Sequence, residues 1–215
     1  MKNIKKIYVV GNATYYASWI KDIELVSDIK DADIVLFTGG EDVTPAYYGC
    51  EPHPTTYNNP KRDAYEKEIF DQVSDNQLVV GICRGSQWCC VMNGGLLIQD
   101  CDNHAIRYTH PITELSTNRI YEVTSTHHQM QYPFNLNANE YTILMQSTLN
   151  RCNYYHGDKI DVDEIYCEPE VVLYHKEDLP YCLAIQGHPE MMRSEAPIIE
   201  RLNEYINLCL DKVCK

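Results

Sequence analysis

Cys83 lies in the run Gly81-Ile82-Cys83-Arg84-Gly85-Ser86-Gln87, a thiol between two glycines. A cysteine attacks as its thiolate, and with a reference pKa of about 8.5 only a few per cent of a free thiol is ionised at neutral pH. A site that uses this chemistry must therefore favour the anion. The surrounding residues predict one. An apolar strand over Gln77 to Ile82 ends at the cysteine, and a helix follows as far as Met92, closed by Asn93-Gly94-Gly95. At a helix N-terminus the backbone N–H groups and the dipole both favour a negative sulfur. The Arg84 N–H is then free to bind an oxyanion formed one atom from the sulfur. Gly81 and Gly85 suit a sharp elbow in which side chains would strike the neighbouring strand and helix. A cysteine taken alone is more often a core side chain, as Cys89 and Cys90 read, but this context favours a nucleophile.

The elements that must hold this turn read as α/β. Lys6 to Val10 is a β-branched run closed by Gly11, with a helix expected over Tyr15 to Lys21. Asp33 to Phe37 is a continuous apolar strand of the kind buried on both faces of a parallel sheet, and it runs into Thr38-Gly39-Gly40. An irregular loop from Glu41 to Asn59 follows, and Asn59-Pro60 then opens a helix with Tyr65, Ile69, Phe70 and Val73 on one face. After His104 strands are expected at Arg119 to Ser125, Tyr141 to Ser147, Glu170 to His175 and Tyr181 to Gln186. Gly187-His188-Pro189-Glu190 ends the last strand, and Ala196 to Val213 reads as a closing helix. No internal repeat, low-complexity tract or linker interrupts the chain, so one domain over 1–215 is expected.

The Gly81 to Gln87 motif resembles the nucleophile motif of class I glutamine amidotransferases. Within that superfamily, Gly39-Gly40-Glu41-Asp42-Val43-Thr44-Pro45 with Tyr48-Gly49, Arg62-Asp63, Gly94-Gly95 and Ser125-Thr126-His127-His128-Gln129 resemble the gamma-glutamyl-gamma-aminobutyrate hydrolase branch. The resemblance implies a flavodoxin-like α/β fold, with a central mostly parallel sheet flanked by helices and a smaller antiparallel β-rich part in the C-terminal half. It implies Cys83 as nucleophile, His188 as general base and Glu190 as the group that orients the imidazole. An extended segment projects residues i and i+2 to the same side, which would let Glu190 reach one ring nitrogen while the other faces the sulfur. The resemblance further implies Gly40 N–H as a second oxyanion donor beside Arg84 N–H, and Gln87, Ser125, Thr126 and His127 as holders of the substrate, the last three largely through main chain. The implied reaction is hydrolysis of a gamma-glutamyl amide through a thioester, without metal or other cofactor.

Composition narrows the partners. Acidic residues outnumber basic ones 31 to 18, and no basic stripe could neutralise a row of phosphates, so neither nucleic acid nor an anionic membrane is expected as a partner. The first apolar run stops at Gly11-Asn12, too short for a signal peptide or a spanning helix, and a cytoplasmic location is expected. The ten cysteines, Cys214 among them, are scattered and read as reduced thiols. Arg62 and Asp63 fit two roles, pairing with the acidic loop or holding a substrate carboxylate. A glutaminase that passes ammonia to a separate synthetase is the alternative enzyme. A metal-binding or regulatory module built on Cys101, His104, Cys89, Cys90 and His110 is the non-enzymatic one, although paired Cys-x-x-Cys units are missing.

Overall fold

The structure, a computed structural model, describes residues 4–11 and 13–213; Asn12 and Cys214, both named above, lie outside them. The chain forms β1 (Lys5–Val9), β2 (Ile23–Leu25), β3 (Ile34–Phe37), α1 (Pro60–Phe70), β4 (Leu78–Ile82) and α2 (Arg84–Met92). Then come β5 (Leu96–Ile98), β6 (Asp100–Cys101), β7 (Ala105–Glu114), β8 (Ile120–Thr126), β9 (Met130–Tyr132) and β10 (Tyr141–Ser147). The last elements are β11 (Tyr155–His156), β12 (Pro169–Tyr174), β13 (Cys182–Ile185) and α3 (Pro197–Val213).

Nine of these strands form one sheet in the order β2-β1-β3-β4-β13-β12-β10-β7-β8. Pairing is parallel from β2 to β13 and antiparallel from β13 onward, so the antiparallel part extends the same sheet. The apolar run of β3 alternates across it. Ile34 and Leu36 join a cluster with Ile198, Leu202 and Ile206 of α3, while Val35 and Phe37 join Ile69 and Phe70 of α1 and Trp88 of α2 on the opposite face. Each of these side chains is buried, which contributes roughly 1.5–3 kcal/mol for a Val, Leu, Ile or Phe.

Three expectations change. The segment expected as a helix from Tyr15 to Lys21 holds a 3-10 turn over Thr14–Ala17, with Trp19 and Ile20 turned into the core beyond it. Strand β7 is additional to the expected strands: Pro111 breaks its strand signature, and the register shifts between Ala105 and Thr109. On α1 the buried face is Asp63, Glu66, Ile69 and Phe70, while Tyr65 is exposed, because the helix packs over a buried arginine that needs two carboxylates.

The sheet topology places the chemistry. β3, β4 and β13 are adjacent parallel strands. Gly39-Gly40, Cys83 and His188 follow their carboxyl ends, where open α/β sheets bind ligands.

Candidate active site

Cys83 occupies a left-handed conformation, φ 53° and ψ −108°, directly before the first residue of α2. A non-glycine residue with positive φ is uncommon, and here the elbow is held from both sides. The Cys83 N–H donates to Ile185 O of β13 at 2.8 Å, and the Cys83 carbonyl accepts from Ser86 N–H at 3.0 Å and from the Ser86 hydroxyl at 2.7 Å. A Cβ on Gly81 would lie 2.2 Å from Gly85 O, and one on Gly85 would lie 2.2 Å from Phe37 O. Strand, elbow and helix approach this closely only because both positions are glycine.

His188 Nδ1 lies 2.7 Å from Glu190 Oε1, and both side chains are nearly excluded from water. The link between them is a 3-10 turn over Pro189–Met191 with His188 as its N-cap, not the extended i, i+2 arrangement expected. The turn brings the carboxylate back beneath the ring. Burial disfavours the imidazolium, but hydrogen bonding to the Cys83 and Glu190 side chains and their Coulombic attraction outweigh it and raise the His188 pKa to about 10. Thr124 of β8 fixes the backbone here: its hydroxyl donates to His188 O at 2.9 Å and lies 3.2 Å from His188 N. Sequence spacing carries no sign of this contact.

A cavity of about 190 Å³ opens onto Cys83 and is lined also by Gly40, Arg84, Gln87, Thr126 and His127. Larger cavities of about 450 and 500 Å³ lie elsewhere and contain none of the expected site residues. Gln87 Nε2 donates to Gln129 O at 2.8 Å, and His127 Nδ1 lies 2.9 Å from the same oxygen. Burial, with the nearby His104 second, holds the His127 pKa well below the usual histidine value, so its ring is neutral. With its proton on Nδ1 toward that carbonyl, His127 keeps a buried Nε2 lone pair with no protein partner. Ser125 is the expected residue whose side chain the structure does not bring to the cavity. It is buried, with Oγ 3.4 Å from His104 Nδ1, because alternation along β8 turns it inward.

The Arg84 guanidinium is likewise turned away from the cavity, 1% exposed and paired with Asp63 and Glu66 of α1. Burial and the neighbouring Arg62 lower its pKa to about 10, which leaves it a cation at neutral pH. Arg62 has every arm occupied: Nη1 on Glu41 at 2.9 Å, Nε on Glu66 at 2.7 Å, and Nη2 on the carbonyls of Thr38 at 3.1 Å and Gly39 at 2.9 Å. Asp63 also accepts from Thr44 N–H at 2.9 Å. Of the two roles open for Arg62 and Asp63, the structure therefore supports pairing with the acidic loop, and it adds a clamp on the glycine turn. Arg62→Lys keeps the charge but loses the planar fork. It is expected to lower turnover about tenfold by loosening that turn, with little change in the thermal midpoint; unchanged kcat would show that the turn holds its shape unaided.

Cys89 and Cys90 of the alternative metal module do not join its histidines. Both are core residues, while His104 Nε2 lies 3.0 Å from Glu168 and His110 Nε2 2.8 Å from Glu170. Burial opposes ionisation of Glu168, but His104 and the Cys152 N–H outweigh it and bring its pKa to about 2. The nine cysteines among the described residues are all free of disulfides.

The family profile of Peptidase C26 matches residues 5–166. The chain belongs to that family, within the class I glutamine amidotransferase-like superfamily. The profile match reaches Cys83 and stops before His188 and Glu190. The chain is 42% identical over 81 residues to a Mycobacterium tuberculosis protein named as a glutamine amidotransferase, covering 36% of this chain and 26% of that protein. It is 32% identical over 135 residues to the glutamine amidotransferase-like protein YvdE of Lactococcus lactis, covering 52% of this chain and 57% of the relative. These matches thus span about a quarter and about half of the relatives' own lengths. A GMP synthase component from Thermoplasma acidophilum shares the fold, with a TM-score of 0.59 and 17% identity over 100% of this chain and 96% of that one. Among the described residues no helix is long and apolar enough to cross a membrane.

Proposed function

We propose that this chain hydrolyses a gamma-glutamyl amide, with Cys83 as nucleophile, His188 as acid and base, and Glu190 orienting the imidazole. The observation that carries the reading is the cysteine at a strained strand-to-helix elbow with the His188–Glu190 pair beside it, past the carboxyl ends of two adjacent parallel strands. The Cys83 thiolate forms the S–C bond, and the carbonyl becomes an oxyanion facing the N–H groups of Gly40 and Arg84. The C–N bond then breaks, and the departing nitrogen takes the proton from His188. A water gives a proton back to His188 as it attacks the thioester, and the S–C bond breaks to return the thiolate. One oxyanion donor contributes about 3 to 4 kcal/mol to such a transition state.

The size and chemistry of the cavity support a gamma-glutamyl acyl group. It is smaller than the roughly 300–1,000 Å³ of pockets for drug-sized ligands. Acceptors line it: the carboxylates of Glu41 and Asp42 and the neutral His127 ring suit an α-ammonium group. We propose that the chain works without an acceptor enzyme. Purified protein assayed against glutamine and several gamma-glutamyl amides should release amine or ammonia at about 1 s⁻¹ or more on at least one of them. Rates a thousandfold lower on every amide, rescued by a synthetase, would make ammonia transfer the function.

Glu190→Gln is expected to reduce kcat less than His188→Ala, since the carboxylate orients the base but carries no proton in either step. The carboxylate also favours the protonated ring, so the His188 midpoint should fall below about 10 in Glu190→Gln when followed by imidazole NMR. A nearly silent His188→Ala would end the triad assignment.

A further inference from the structure

We propose that His53, Asp100 and His156 form a binding site for a zinc-class divalent cation on the rim of the protein. One ligand atom from each lies within 4.8 Å of the others. Their chain positions are far apart, which is why sequence spacing did not reveal them; the fold brings them together by separate means. Asp100 and His156 are directly paired residues of the antiparallel β6 and β11, so their side chains share one face. His53 stands between Pro52 and Pro54, whose rings restrict the backbone on both sides.

The surrounding contacts are those of a metal site. His53 Nδ1 lies 2.8 Å from the Thr55 hydroxyl and accepts from Thr55 N–H at 3.4 Å, so a metal taken at Nε2 shifts the ring proton to Nδ1, toward that hydroxyl. His156 presents Nδ1 to Asp100 Oδ2 at 3.9 Å, and Tyr154 stacks on its ring with centroids 4.6 Å apart. The other oxygen of Asp100 is 3.3 Å from Nδ1 of His128, a residue that also lines the Cys83 cavity. Ligands oriented by outer partners in this way are the rule at metal centres. A cavity of about 450 Å³ beside His53 and His156 opens to solvent and supplies the entry path.

Two imidazoles and one carboxylate select zinc or a neighbouring transition metal over magnesium or calcium, which prefer oxygen. Zinc bonds of about 2.0–2.2 Å put neighbouring ligand atoms about 3.4 Å apart. Rotamer adjustment of the exposed His156 and the half-buried His53 closes that gap, and the fourth position remains for water. The buried groups around His104 lack this access: His104, His110, Glu168 and Glu170 are all excluded from solvent and already hydrogen-bonded to one another.

The test uses the metal-free full chain, titrated with zinc against a chromophoric chelator. One equivalent should bind, and His53→Ala and His156→Ala should each weaken binding at least tenfold with unchanged far-UV circular dichroism. Cobalt(II) in place of zinc should give a spectrum without a thiolate charge-transfer band, which separates this site from binding at a cysteine. Zinc should also shift the His53 and His156 imidazole resonances in the wild type, a readout that needs no variant. Failure to compete with the chelator, wild-type affinity in both variants, or a thiolate band with unmoved imidazole resonances would each overturn the site.

Discussion

Cys83→Ala is expected to lower amide hydrolysis by at least about 10⁴-fold while the chain stays folded. In the proposed mechanism the Cys83 sulfur forms the thioester on which both later bond changes depend. The fold has little reason to notice. Alanine keeps the Cβ, so the positive φ of 53° carries the same strain as in the native residue. Gly81 and Gly85 keep their close approaches, and loss of one sulfur atom should alter stability by about 1 kcal/mol. Initial rates on the best amide and a thermal melt measure the two halves. A glutamine-like electrophile should add one mass at Cys83 in the wild type, and peptide mapping locates it. Selectivity is expected because burial raises several competing thiols: Cys90 and Cys167 to about 12 and Cys209 to about 11. Retention of a tenth of the rate in Cys83→Ala, or labelling of another cysteine with Cys83 free, would remove the nucleophile assignment.

What was legible in the sequence was local. Cys83 and its flanking glycines form a contiguous signal at the end of an apolar strand, and His188-Pro189-Glu190 forms another. Each predicts position without knowledge of the rest of the chain. Strands β3 and β4 could be read because both faces are buried, which leaves unbroken apolar runs. Strand β7 could not, since Pro111 and its polar neighbours give no such run and its pairing is settled by β8 and β10. Ser125 shows the limit within a motif: the segment reaches the site, but alternation along β8 turns this side chain inward to His104 and Thr126 toward the cavity, while His127, beyond the strand's end, touches both the cavity and the His104 ring. Thr124 and the Arg62 clamp escape the sequence for a different reason. They act on backbone atoms many residues away, and no spacing rule reports such a contact. The same holds for Asp63 and Glu66, because charged residues on a helix ordinarily read as its solvated face.

Those carboxylates lead to the largest stability effect expected. Arg84→Met should destabilise the fold by about 3–5 kcal/mol, a large part of the roughly 5–15 kcal/mol that holds a domain together. The side chain is 1% exposed, and Asp63 and Glu66 are 1% and 2% exposed, so its removal leaves Asp63 buried without a cation and Glu66 with only the Nε of Arg62. Arg62 cannot fill the gap, because its arms are held by Glu41, Glu66 and the carbonyls before Gly40. Urea midpoints measure the loss. The cause is tested by restoring neutrality: adding Asp63→Asn and Glu66→Gln to Arg84→Met should recover more than half of it, since amides cost far less to bury than unpaired charges. Activity should recover less than stability, because Asp63 also holds the Thr44 N–H and the glycine loop after β3 depends on this anchorage. If Arg84→Met unfolds within about 1 kcal/mol of the wild type, the arginine is not what holds α1 against the elbow. If the triple variant is no more stable than the single one, packing of the arginine stem, and not its charge, carries the effect.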